Sequence, residues 1–130
     1  MRIDVEPAET TCPIEAALQI ISGRWKFLIV RELLTGTKRF SELQRALHGV
    51  TQKMLTQQLR ELEQHGVLTR TVYPIVPPKV EYTLTSRGEN LRPVMAAMHD
   101  WGRTFLREQP GNADKDITYE NDSVMSQPNS

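Results

Sequence analysis

The sequence predicts a mainly α fold carrying one small β-hairpin, an α+β domain, and three observations carry that prediction. Apolar residues recur at helical spacing from Pro13 to Gly66. Directly after Gly66 the period switches to alternation, in VLTRTVYP and again in KVEYTLT, with a proline-rich link between the two runs. Helical spacing then returns in ENLRPVMAAMHDWGRTFLRE. At 130 residues, 38% hydrophobic and 25% charged, the chain suits one globular domain with a real core rather than two.

The elements follow in order. Pro13 at a first helical position, with Cys12 as its cap, opens a helix to about Ser22 whose stripe is Ile14, Ala17, Leu18 and Ile21. Gly23 breaks it. The run GRWKFLIVRELLTG starts a second helix in which Trp25, Phe27, Leu28, Ile29, Val30, Leu33 and Leu34 are apolar nearly all round, the mark of a central helix. Gly36 closes that helix, and Lys38 and Arg39 follow in a loop. Ser41 and Gln44 have capping-box spacing with Phe40 as a hydrophobic staple, so a third helix begins there and turns Leu43, Ala46 and Leu47 inward. Gly49 ends it, and Thr51 caps a fourth helix with Met54, Leu55, Leu59 and Leu62 inward and Gly66 as its left-handed stop.

Two short helices joined by a tight turn form a helix-turn-helix. At about 100° per residue, Lys53, Gln57, Arg60 and Gln64 on the second helix fall within an arc of roughly 60°, with Thr56 and Glu61 at its margins. Such side chains read base edges: Arg and Lys suit guanine, Gln adenine, and Thr either base or a thymine methyl. A merely solvated helix face is the competing reading. The alternating runs decide between them, because a hairpin with strands around Leu68–Tyr73 and Lys79–Leu84, placed directly after a recognition helix, is the wing of a winged helix-turn-helix. A lone hairpin is marginal, so a short third strand near the helix-turn-helix is expected to pair with it. Arg70 and Lys79 are the wing's candidates for phosphate contact, with a solvated strand edge as the alternative.

Ser86 and Glu89 repeat the capping-box spacing, and Pro93 predicts a kink or a restarted helix. Leu91, Val94, Met98, Trp101 and Phe105 are spaced as a heptad seam, which suits packing against a second copy of the chain. Covering the monomer's own core is the competing role. The expected dimer forms through the N- and C-terminal helices, with Ile14, Leu18 and Ile21 contributing from the first.

Charge and composition bound the function. Arg2 stands against Asp4, Glu6 and Glu9, and Lys115 against Asp114, Asp116, Glu120 and Asp122, so the ends carry about −5 and residues 12–108 about +5. A basic centre with acidic ends fits a nucleic-acid face. The organisation expected is a flexible arm over 1–11, the DNA-binding and dimerisation domain over 12–108, and a disordered polar tail over 109–130. No secretory h-region or membrane-length apolar run is present, which predicts a cytoplasmic protein. One cysteine excludes an intramolecular disulfide, and His48, His65 and His99 fall on different elements, as surface or cap residues rather than metal ligands. No cofactor is implied. With no Gly-rich phosphate loop and no Ser/His/Asp set, an enzyme is not expected; a winged helix used for protein contacts is the better rival, and the polar arc argues against it.

From Cys12 to about Phe105 the chain closely resembles the HxlR family of bacterial transcriptional regulators. The resemblance rests on Cys12-Pro13, Gly23-Arg24-Trp25, Arg39-Phe40 before Glu42-Leu43, Lys53-Met54-Leu55, Leu59 to Glu63, Val80-Glu81-Tyr82 and Leu84-Thr85. It implies a dimeric winged helix with its recognition helix in the major groove of a palindromic or pseudo-palindromic double-stranded operator. It also implies that Cys12 is a candidate sensor of a small electrophile or oxidant, as in some relatives. A helix N-terminus favours a thiolate, and Arg24 is a candidate to help; a small buried hydrophobe is the alternative role for a lone cysteine. The candidate DNA contacts are Arg39, Ser41, Thr51, Gln52, Lys53, Thr56, Gln57, Arg60, Arg70 and Lys79, and the candidate dimer contacts are Ile14, Leu18, Ile21, Leu91, Val94, Met98, Trp101 and Phe105.

Overall fold

The computed structural model describes residues 9–110. The expected arm over 1–11 and tail over 109–130 therefore lie almost wholly outside the described residues. Among the described residues six helices and three strands follow one another as α1 (Pro13–Ile21), α2 (Lys26–Leu33), β1 (Lys38–Arg39), α3 (Phe40–Ala46), α4 (Gln52–Gln64), β2 (Leu68–Tyr73), β3 (Lys79–Leu84), α5 (Ser86–Glu89) and α6 (Arg92–Arg107). Helix α2 is central, as its apolar run requires: Ile29, Val30 and Leu33 are buried against Leu43 and Leu47 of the α3 region and Leu55, Leu59 and Leu62 of α4.

The hairpin has the strands expected, in antiparallel register from Leu68 opposite Leu84 to Tyr73 opposite Lys79. Burial is confined to its base, where Leu68, Tyr82 and Leu84 reach the core while Val76 at the tip is 98% exposed. Lys38 and Arg39 do not form a loop. They are the expected third strand, pairing with Tyr82 and Glu81, so the sheet order is β1-β3-β2. That order satisfies the outer backbone edge of β3 and ties the wing to the start of α3.

Several local expectations shift by a residue or two. Helix α3 starts at Phe40, and the carboxylate of Glu42 accepts a 2.8 Å hydrogen bond from the Arg39 amide, so Ser41 lies within the first turn instead of capping it. Only the Glu42 half of a capping box forms, because an Arg side chain has no acceptor to offer the helix; β1 sets the start by holding Arg39 extended. Likewise Thr85, not Ser86, caps α5 by accepting from the Gly88 amide at 3.2 Å. The chain then restarts as α6 with Pro93 in its first turn, as the proline demanded. Met54 is 41% exposed, against the expectation of burial, because it is turned about 100° from its neighbour Leu55.

Candidate nucleic-acid interface

Helix α4 is held firmly at both ends. At the N-terminus the Thr51 hydroxyl accepts from the Met54 amide at 3.1 Å, as its sequence position predicts. At the C-terminus Gly66 takes φ +73°, its amide donates to the Glu63 carbonyl at 3.0 Å, and the Val67 amide donates to the Leu62 carbonyl at 2.9 Å. This is a Schellman stop, and the buried pair Leu62 and Val67 supplies its apolar contact. His65 serves as the C-cap residue and its carbonyl accepts from Arg87 Nη1 at 2.8 Å.

The outward face of α4 brings five of the candidate side chains together: Gln52, Lys53, Thr56, Gln57 and Arg60 line one open groove. Around the corner Gln52, Thr56 and Arg60 share a second depression with Glu63, Arg70, Phe40 and Tyr82, so Arg70 of the wing does converge with the recognition helix. Thr56 donates its hydroxyl to the Gln52 carbonyl at 2.8 Å. Arg39 and Ser41 are exposed at the start of α3. Lys79 stands apart from this cluster. It is three residues further along the hairpin than Tyr82, about 10 Å at strand rise, where its Nζ lies 3.3 Å from Glu81 and 5.0 Å from the centroid of the Tyr73 ring.

Glu61, expected at the margin of the exposed arc, is buried. Its Oε1 lies 2.6 Å from Lys26 Nζ, and both side chains are buried. Lys26 and Glu61 form a buried ion pair beneath this face that the sequence did not reveal; the one signal was a lysine inside an otherwise apolar helix. Arg92 was missed too. Buried at the start of α6, it donates to the Leu34 carbonyl at 3.4 Å and to Glu89 at 3.2 Å, joining α6 to the end of α2.

The candidate dimer residues divide. Ile21 is buried and Leu91 is partly buried against the core, so the monomer itself already covers much of these two side chains. Ile14, Leu18, Val94, Met98, Trp101 and Phe105 remain exposed, with the Trp101 and Phe105 rings stacked at 5.7 Å and 7°. Cys12 is an exposed free thiol at the N-cap of α1 and is not part of this chain's own core. Arg24 places its guanidinium 4.4 Å over the Trp25 ring. Among the described residues no group of three or more His, Cys, Asp or Glu could hold a metal, and no helix is long and apolar enough to cross a membrane.

Known proteins agree with this geometry. The family model for the HxlR-like helix-turn-helix matches residues 20–110. YdeP of Bacillus subtilis (strain 168), an HTH-type transcriptional regulator, is 51% identical over 94 residues, covering 72% of this chain and 73% of its own. Among solved structures, the redox regulator HypR in its oxidized form is similar with a TM-score of 0.68 and 42% identity, covering 82% of this chain and 100% of that one. The reduced form of the transcriptional regulator YodB from B. subtilis is similar with a TM-score of 0.67 and 40% identity, covering 78% of this chain and 99% of that one. A recognition helix and wing presented side by side, on a chain matched over this span, identify a DNA-binding transcriptional regulator that belongs to the HxlR-like helix-turn-helix family.

Proposed function

We propose that residues 12–108 work as a cytoplasmic homodimer that sets two copies of α4 into successive major grooves of a palindromic or pseudo-palindromic operator. The observation that carries this reading is the shared groove of Gln52, Lys53, Thr56, Gln57 and Arg60, on a helix fixed at both ends. Arg60, exposed and shared by the two depressions, reads a base, and Arg70 neutralises phosphate beside it. Lys79 is the weaker phosphate candidate because Glu81 already occupies it. The exposed stripes on α1 and α6 support the dimer, whose two reading helices would then stand roughly 34 Å apart.

Cys12 adds the regulatory reading. Its exposed thiol at the first turn of α1, beside the exposed Ile14 and Leu18, supports a response to a small electrophile or oxidant through the dimer interface. HypR and YodB, one described as a redox regulator and the other solved in a reduced form, are consistent relatives.

Selection of bound duplexes from a random pool tests the DNA reading. Against the recovered site, Arg60→Ala is expected to weaken binding by roughly 1 to 3 kcal/mol and relax preference at one base pair. Arg70→Ala is expected to weaken all sequences alike and to lower the salt slope by about 1. Equal effects of Arg60→Ala on selected and random duplexes would show that the face does not read bases.

A further inference from the structure

A buried ion pair contributes little net stability, because desolvation of both groups offsets most of their attraction. Lys26 and Glu61 form such a pair, joining α2 to α4 across 35 residues of sequence. Lys26 occupies one carboxylate oxygen. The other, Oε2, accepts a hydrogen bond from Nε2 of Gln57 at 3.4 Å. A carboxylate only accepts, so the Gln57 amide must turn its NH2 group toward Glu61, and chemistry fixes its orientation. Gln57 in turn lines the groove with Lys53 and Arg60.

We propose that Lys26 and Glu61 are positioning residues that set Gln57 as a reader of adenine, an inference that rests on α4 being the reading helix and adds the base and the device. The amide nitrogen carries two hydrogens. One is held by Glu61 Oε2; the second, together with Oε1, is left for a base entering the groove that Gln57 lines, and that donor and acceptor match N7 and the N6 amino group of adenine. Guanine offers two acceptors, O6 and N7, on the same edge. To meet both, Gln57 would have to spend both amide hydrogens and leave Glu61 without its donor. An exposed glutamine on a solvated helix could rotate to suit either purine. Here the carboxylate anchored by Lys26 excludes the guanine arrangement before any DNA arrives.

The test compares affinities of the full chain for a selected operator and for all single-base variants of it, at one salt concentration. Wild type is expected to prefer adenine at one position of each half-site by roughly 5- to 150-fold, and to lose comparable binding when 7-deazaadenine removes N7 there. Gln57→Ala is expected to erase that preference. Lys26→Met with Glu61→Leu, which leaves no charge buried alone, should erase it too. Lys26→Met with Glu61→Gln should retain it, because the new carbonyl still accepts from Gln57. Should the apolar pair fail to fold, Lys26→Glu with Glu61→Lys keeps an ion pair but puts a donor where Gln57 needs an acceptor, and the adenine preference should vanish. Survival of that preference in either disruptive pair overturns the proposal, as does a wild-type operator with no adenine whose N7 matters. A protein that prefers no duplex over random DNA overturns the reading of α4 itself, and the proposal with it.

Discussion

Replacing Trp101 and Phe105 together by alanine should convert the proposed dimer to a monomer without unfolding the chain. The two rings stack on each other on α6, 72% and 47% exposed, and therefore lend little to the monomer's core. Complete burial of a large apolar side chain is worth roughly 1.5 to 3 kcal/mol. Scaled by the exposed fractions and counted on both chains, the four rings contribute about 4 to 7 kcal/mol. Association costs about 4 to 15 kcal/mol before any contact is counted, so the rings alone barely reach the lower end. The exposed Ile14, Leu18, Val94 and Met98 must supply the rest, and the aromatic pair is decisive without being sufficient. Its loss is expected to raise the dimer dissociation constant by roughly 10³- to 10⁵-fold. Sedimentation velocity over a concentration series, with far-ultraviolet circular dichroism as the folding control, reads the result. A folded double variant that sediments as a dimer over the same range as wild type would place the interface on another surface.

Three further outcomes are expected. In gel-shift titrations with diamide, which takes two electrons and two protons from a pair of thiols, wild type should lose operator affinity while Cys12→Ser keeps it; the sole cysteine restricts the oxidised product to a bridge between subunits or a mixed disulfide with a small thiol. Equal losses in both proteins would refute a sensing role. Thr51→Ala removes the acceptor for the Met54 amide and should lower stability by about 1 kcal/mol in urea melts, with faster amide exchange at the first turn of α4. Gly88→Ala would drive a methyl group into the Val67 carbonyl oxygen and to 2.8 Å from Leu84 Cδ2; a loss of roughly 1 to 3 kcal/mol in the same melts is expected, and an unchanged midpoint would show that α5 can slide away.

What was legible in the chain was local. The alternation of Val80, Tyr82 and Leu84, the proline at 93 and the glycine at 66 each act over a few residues, and each produced the element it implied. Positions decided by distant partners were less legible. Ser41 with Gln44 offered a helix start, and strand pairing of Arg39 with Glu81, over forty residues away, moved that start back to Phe40. Ile21 and Leu91 sit on the same apolar stripes as Leu18 and Val94, yet the stripe does not say where the monomer's core ends. The burial of Glu61 depended on Lys26, and nothing in the helical period of α4 distinguishes a carboxylate beside solvent from one beneath a neighbouring helix. The candidate site was therefore legible as a face, while the side chains that brace it were not.

The sheet order β1-β3-β2 bears on how the chain can be made. Synthesis runs from the N-terminus, and the first strand to emerge, at Lys38 and Arg39, has no partner until the last strand, Lys79 to Leu84, has left the ribosome. The second strand waits for the same residues. A nascent chain that ends before Lys79 therefore holds both helices of the DNA-reading unit with neither sheet edge paired, and closing that unit requires contacts of long sequence separation. Thr85 completes the closure one residue later, its amide donating to the Val67 carbonyl just past the end of α4. A chain that stops before this point keeps α4 packed on α2 and α3 but has neither the paired wing nor the β1 tie that holds the wing beside it.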